Sequence, residues 1–96
     1  DWKKKIKNIE NRIFKSFEKI SKNKLVKDFR VIGAIGVLEM HDKVNVKSLQ
    51  KKCIDNGIWL RPYSNLIYIM PPYIIINKDL NFLLMKIEKI IKLEYE

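Results

Sequence analysis

Trp2, Ile6, Ile9, Ile13, Phe17 and Ile20 recur at spacings of three and four residues from the very start of the chain. That spacing places them on one stripe of a helix, while the intervening lysines take the remaining surface. A helix with so long an apolar stripe must be packed on something, which the remaining residues have to supply. The polar stretch 21–27 breaks the pattern, and Phe29 to Met40 (FRVIGAIGVLEM) follows as a largely apolar, β-branched run. Such a run reads as one buried strand.

Beyond it the signals are local. His41-Asp42-Lys43 makes a polar connection, and Asn45 can cap a short helix with Val46, Leu49 and Cys53 or Ile54 inward and Gly57 as its stop. Ile58 to Arg61 is strand-like, Pro62-Tyr63-Ser64-Asn65 has turn chemistry, and Leu66 to Met70 makes a second arm of a hairpin. Pro71-Pro72 forbids helix, Tyr73 to Ile76 continues extended, and Asn77 caps a final helix. Its inward face carries Leu80, Leu83, Leu84, Ile87, Ile90 and Ile91. The expected fold is α+β, a small three-stranded, mainly antiparallel sheet with helices packed on one face. With 96 residues there is room for one such domain, spanning residues 1–96.

A net charge of +9 invites a nucleic-acid partner, with the lysines of residues 1–27 as the binding surface. However, lysine, isoleucine and asparagine supply 41 of the 96 residues against a single alanine and three arginines. Such usage follows AT-rich codons, and a translated AT-rich gene yields basic proteins of every function. Ten of the bases also fall in residues 1–27 with only three acids, most of them around the first helical stripe. Neither nucleic acid nor membrane is therefore expected as a partner. No apolar run approaches the roughly 20 residues that cross a bilayer. Asp1-Trp2-Lys3-Lys4-Lys5 lacks the apolar stretch of a signal peptide, so a cytoplasmic location is expected. The absence of an initial methionine suggests a piece of a longer protein.

Among the polar residues Arg61 stands apart, because it follows an apolar strand and precedes a proline. A guanidinium held there can present a planar fork to a carboxylate or phosphate, or it can form an ion pair within the chain. Tyr63 and Tyr68 flank the same hairpin, either as packing residues with one wet end or as ligand contacts. Gly33 and Gly36 form G-x-x-G, not the dinucleotide G-x-G-x-x-G, and read as close strand packing. The lone His41 has no serine-acid arrangement around it, and a metal site built with Glu39 and Asp42 is disfavoured. Cys53, on the inward side of its helix, reads as an inert thiol that cannot form an internal disulfide. No complete active site is visible, and no catalytic residue is assigned.

Three segments taken together carry more. Val31-Ile32-Gly33-Ala34-Ile35-Gly36-Val37-Leu38-Glu39, Gly57-Ile58-Trp59-Leu60-Arg61-Pro62 and Leu66-Ile67-Tyr68-Ile69-Met70-Pro71-Pro72-Tyr73-Ile74-Ile75 occur in this order. The string resembles the carboxy-terminal small domain of the adenosylmethionine-8-amino-7-oxononanoate aminotransferases. These are class III, pyridoxal-phosphate enzymes of biotin synthesis. The likeness runs over essentially the whole chain.

The resemblance implies that the large domain, with the pyridoxal 5'-phosphate lysine, lies outside this sequence, so no cofactor-binding residue is assigned here. It implies that Arg61 pairs with the carboxylate of 8-amino-7-oxononanoate, and that Tyr68 and Tyr63 lie near that substrate. S-adenosylmethionine would be the amino donor, and the complete enzyme would be a homodimer. Ser64-Asn65 departs from the glycine-lysine common at this turn. Another class III activity, of the ornithine or 4-aminobutyrate type, is the alternative within the fold.

Overall fold

The computed structural model of the protein describes residues 1–95. Asp1 opens the first helix, α1 (Trp2–Ile20), by accepting the Lys3 N–H at 3.0 Å. Ile9, Ile13, Phe17 and Ile20 of the stripe are buried, whereas Ile6 is half-buried and Trp2 lies exposed at the helix entrance. Each fully buried side chain of this size contributes about 1.5–3 kcal/mol, so the stripe is what fixes α1 to the rest. After α1 come β1 (Val26–Ile32), β2 (Ile35–Met40), α2 (Val46–Asp55), β3 (Arg61–Tyr63), β4 (Leu66–Ile69) and α3 (Asn77–Tyr95).

The sheet is antiparallel with the order β1-β2-β4-β3, so it has four strands where three were expected. The run Phe29–Met40 is not one strand. It holds most of a hairpin that begins at Val26 and turns at Gly33-Ala34, pairing Ile32 with Ile35. Gly33 has φ +56°, and its N–H is donated to the Glu10 carboxylate at 2.7 Å. A positive φ at the first turn residue suits a two-residue hairpin. Because the turn is Gly-Ala rather than Asn-Gly, no polar residue marks it in the sequence.

The second hairpin also shifts. Pro62 and Tyr63 belong to β3 rather than to the turn, which is Ser64-Asn65 alone, with Ser64 at φ +57°. Pro62 is tolerated because β3 is an edge strand, where a missing N–H breaks no outer ladder. Tyr73 to Ile76 turns rather than extends, the Ile75 N–H reaching the Pro72 carbonyl at 3.0 Å. Asn77 is the first helical residue, not the cap, and its side chain accepts from Asn8 of α1 at 2.6 Å.

Strand side chains alternate between two faces. On one face Leu38, Met40, Ile67 and Ile69 are buried beneath the helices, as expected. There α1 lies on β1 and β2, α3 packs beside α1, and α2 packs against α3. Gly36 permits this: a Cβ there would stand 2.7 Å from both Ile13 and Phe17 and 2.9 Å from Ile69. Among the described residues, no helix is long and apolar enough to cross a membrane.

Candidate functional site

The opposite face of the sheet is left open by α1, and the first turns of α2 border it beside β3. Register places Arg30 beside Val37, Val37 beside Tyr68, and Tyr68 beside Arg61, making one row across all four strands. The neighbouring row is Asp28, Glu39, Leu66 and Tyr63. Arg61, Tyr68 and Tyr63 therefore share this open face, Tyr68 half-buried near its centre and the other two exposed on the edge strand.

Arg61 reaches its place through the end of α2. The Gly57 N–H bonds to the Ile54 carbonyl at 3.1 Å and the Ile58 N–H to the Cys53 carbonyl at 3.0 Å. This double closure is a Schellman motif, which requires a left-handed residue just past the helix, and Gly57 supplies it at φ +70°. The chain then returns with Leu60 buried and Trp59 and Arg61 exposed on either side of it. Cys53 is buried, and loss of water raises its thiol pKa, although the Leu60 N–H pointing at the sulfur opposes this. Such a thiol is a poor nucleophile.

The three arginines differ in what they touch. Arg12 bonds to Asn8 at 3.1 Å and Asn81 at 3.0 Å, joining α1 to α3. Arg30 bonds to Glu39 at 2.9 Å and Asp28 at 3.3 Å. Glu39, with Lys27 also 3.6 Å away, is held below the usual carboxylate range chiefly by its Arg30 hydrogen bond. The same pairing with Glu39 raises the Arg30 pKa. Glu39 is thus committed to cations of its own sheet. Among the described residues, no acidic group stands within ion-pair distance of Arg61.

Arg61 lies in an open cleft of about 660 Å³ lined also by Val46, Gln50, Trp59, Leu60, Pro62, Tyr63 and Tyr68. Two of these correct or extend the sequence reading. Val46, expected to face inward, is exposed at the cleft, and Trp59, read only as part of a strand, stands beside Arg61. The spacing of Trp59, Arg61 and Tyr63 at alternate positions is the signal that places all three on one face. A free guanidinium among aromatic and aliphatic walls can bind a carboxylate through two parallel hydrogen bonds.

A second hollow of about 600 Å³ lies between the end of α1 and the end of α3. Two of its lysines already face Glu88, Lys19 at 3.1 Å and Lys92 at 3.9 Å. Tyr95, at its margin, has a hydroxyl buried without a partner among the described residues, and burial pushes its pKa up to about 12.

An antiparallel sheet packed against helices, with an unpaired arginine in a cleft beside its edge strand, defines a small α+β domain. Residues 1–91 match the family described as aminotransferase class-III, and the chain belongs to that family. It is 49% identical over 74 residues to the adenosylmethionine-8-amino-7-oxononanoate aminotransferase of Buchnera aphidicola subsp. Acyrthosiphon pisum, a match covering 77% of this chain and 17% of that protein. The same enzyme of the Schizaphis graminum subspecies is 44% identical over 89 residues, covering 93% and 21%. Among solved structures, the taurine:2-oxoglutarate aminotransferase of Bifidobacterium kashiwanohense, in complex with pyridoxal phosphate and glutamate, superposes with a TM-score of 0.85. That match is 22% identical, covers 97% of this chain and 24% of the other, and shows the fold. The chain spans about a fifth of the length of these curated relatives.

Class III aminotransferases use pyridoxal phosphate, but the residues around Arg61 do not fit that cofactor. The cleft offers no lysine to bind its aldehyde and no carboxylate to meet its ring nitrogen. Arg61 could meet its phosphate, yet the apolar walls give the ring no polar partner beyond Gln50 and two phenols.

Proposed function

We propose that this chain is the substrate-recognition domain of a biotin-pathway aminotransferase that moves an amino group from S-adenosylmethionine to 8-amino-7-oxononanoate, giving 7,8-diaminononanoate. The supporting observation is Arg61: it is the one arginine without a hydrogen bond or ion pair among the described residues, and it sits in a cleft on the uncovered face. The names of the curated relatives supply the reaction.

In this reading Arg61 grips the distal carboxylate of the keto acid, and the Tyr68 and Tyr63 side chains border it. Holding that end fixes where the other end, with its keto carbon, can lie. Such orientation lowers the barrier although the arginine never touches the reacting atoms. Pyridoxal 5'-phosphate would be bound by a separate large domain, which supplies the lysine chemistry. The complete enzyme would be a cytoplasmic homodimer.

In the complete enzyme, Arg61→Ala should raise the KM for 8-amino-7-oxononanoate about 10- to 100-fold, the range for losing a charge-assisted pair worth about 1.5–3 kcal/mol. The KM for S-adenosylmethionine and the thermal midpoint should stay close to wild type. An unchanged KM for the keto acid removes Arg61 from the site.

A further inference from the structure

The cleft around Arg61 has an uneven chemistry. It carries one cation and no acid, and most of its wall is apolar: Trp59, Val46, Leu60 and Pro62. Trp59 is 61% exposed and Val46 42%, although both are large apolar groups. Trp59 and Arg61 lie at alternate positions with the buried Leu60 between them, so the indole and the guanidinium emerge from the same side. No aromatic stacking or cation-π contact engages Trp59 among the described residues. The indole is thus a free apolar surface directly beside the carboxylate anchor.

That arrangement discriminates between classes of acid. An acid with a second charge close to its carboxylate, such as an α-amino acid or a short dicarboxylate, would press that charge against Trp59 and Val46. The cleft provides no opposite charge there, so desolvation would go uncompensated. An acid whose carboxylate is followed by a run of methylenes would instead cover the indole, each buried CH2 contributing up to about 0.8 kcal/mol.

We propose that Trp59 is a specificity-determining residue, forming with Val46 an apolar wall that selects monocarboxylates with a long aliphatic chain over short or doubly charged acids. The inference deepens the function proposed above and rests on Arg61 as the carboxylate anchor. The complete enzyme tests it, since the chain spans about a fifth of the length of its curated relatives.

Acetate, pentanoate, nonanoate and succinate are measured as competitive inhibitors against 8-amino-7-oxononanoate in the complete enzyme and in its Trp59→Ala, Trp59→Phe and Arg61→Ala variants. In the wild type, nonanoate should bind at least about tenfold tighter than acetate, and succinate should gain nothing over acetate. Trp59→Ala should shrink the chain-length preference to within about twofold without abolishing carboxylate binding, and Trp59→Phe should recover most of it. If all the acids inhibit the wild type equally well and Arg61→Ala abolishes that inhibition, the wall is refuted while the anchor stands. If none of them inhibits, or Arg61→Ala is inhibited like the wild type, anchor and wall fall together.

Discussion

The two faces of one sheet are built to opposite rules. Under the helices, Leu38, Met40, Ile67 and Ile69 are buried, no charged or polar residue among the described ones is buried with them, and Gly36 is kept bare so that α1 can approach. On the other face, charges and aromatics lie in rows, and Arg30 and Glu39 neutralise each other while Arg61 is left free. The first face stores stability; the second keeps an unsatisfied group available. Substitutions should separate along that line, those beneath the helices acting on unfolding and those on the open face on ligand binding.

Phe17→Ala should show the largest effect, a loss of about 3–5 kcal/mol in denaturant unfolding, since its fully buried ring would leave a cavity. A small loss would mean that α1 is not fastened to the sheet. Gly36→Ala comes next, at about 1–3 kcal/mol, because the added methyl overlaps the buried side chains of Ile13, Phe17 and Ile69, which must shift within a packed core. Thermal melting of this variant beside one with Val37→Ala, a change on the open face of the adjacent position, would sharpen the contrast.

A weaker test concerns the exception on the covered side, the unpartnered Tyr95 hydroxyl. Its pKa is raised from 10.0 to about 12, so the folded state holds the proton more tightly than the unfolded state. Stability should therefore fall as pH rises from about 10 to about 12. Tyr95→Phe should remove that part of the alkaline decline and cost almost nothing at pH 8. Chemical unfolding at the two pH values checks both, and an unaltered alkaline slope would show that Tyr95 does not titrate this way.

How much of this was legible beforehand depends on the distance over which each feature is set. Helices α1, α2 and α3 were readable because 3.6-residue periodicity and the Asn45 and Gly57 signals are local. Arg61 was readable because an arginine between an apolar run and a proline is unusual within a few residues. The first hairpin was not, because Gly33-Ala34 is an apolar turn and alternate residues on both arms face the core. Nor was the row of Arg30, Val37, Tyr68 and Arg61, which exists only through pairing between strands up to 31 positions apart in sequence. Trp59 was missed for another reason: in a string, an aromatic beside a strand reads as core, and only its exposure reveals that nothing in the described chain covers it.

The most direct measurement compares two properties of Arg61→Ala in the complete enzyme: unfolding free energy, and inhibition by nonanoate. Unfolding within about 0.5 kcal/mol of wild type, together with loss of the nonanoate response, is the expected pair, because an exposed side chain without partners does little for the fold. A large loss of stability, or an undiminished response to the acid, would contradict an open face organised around a free guanidinium.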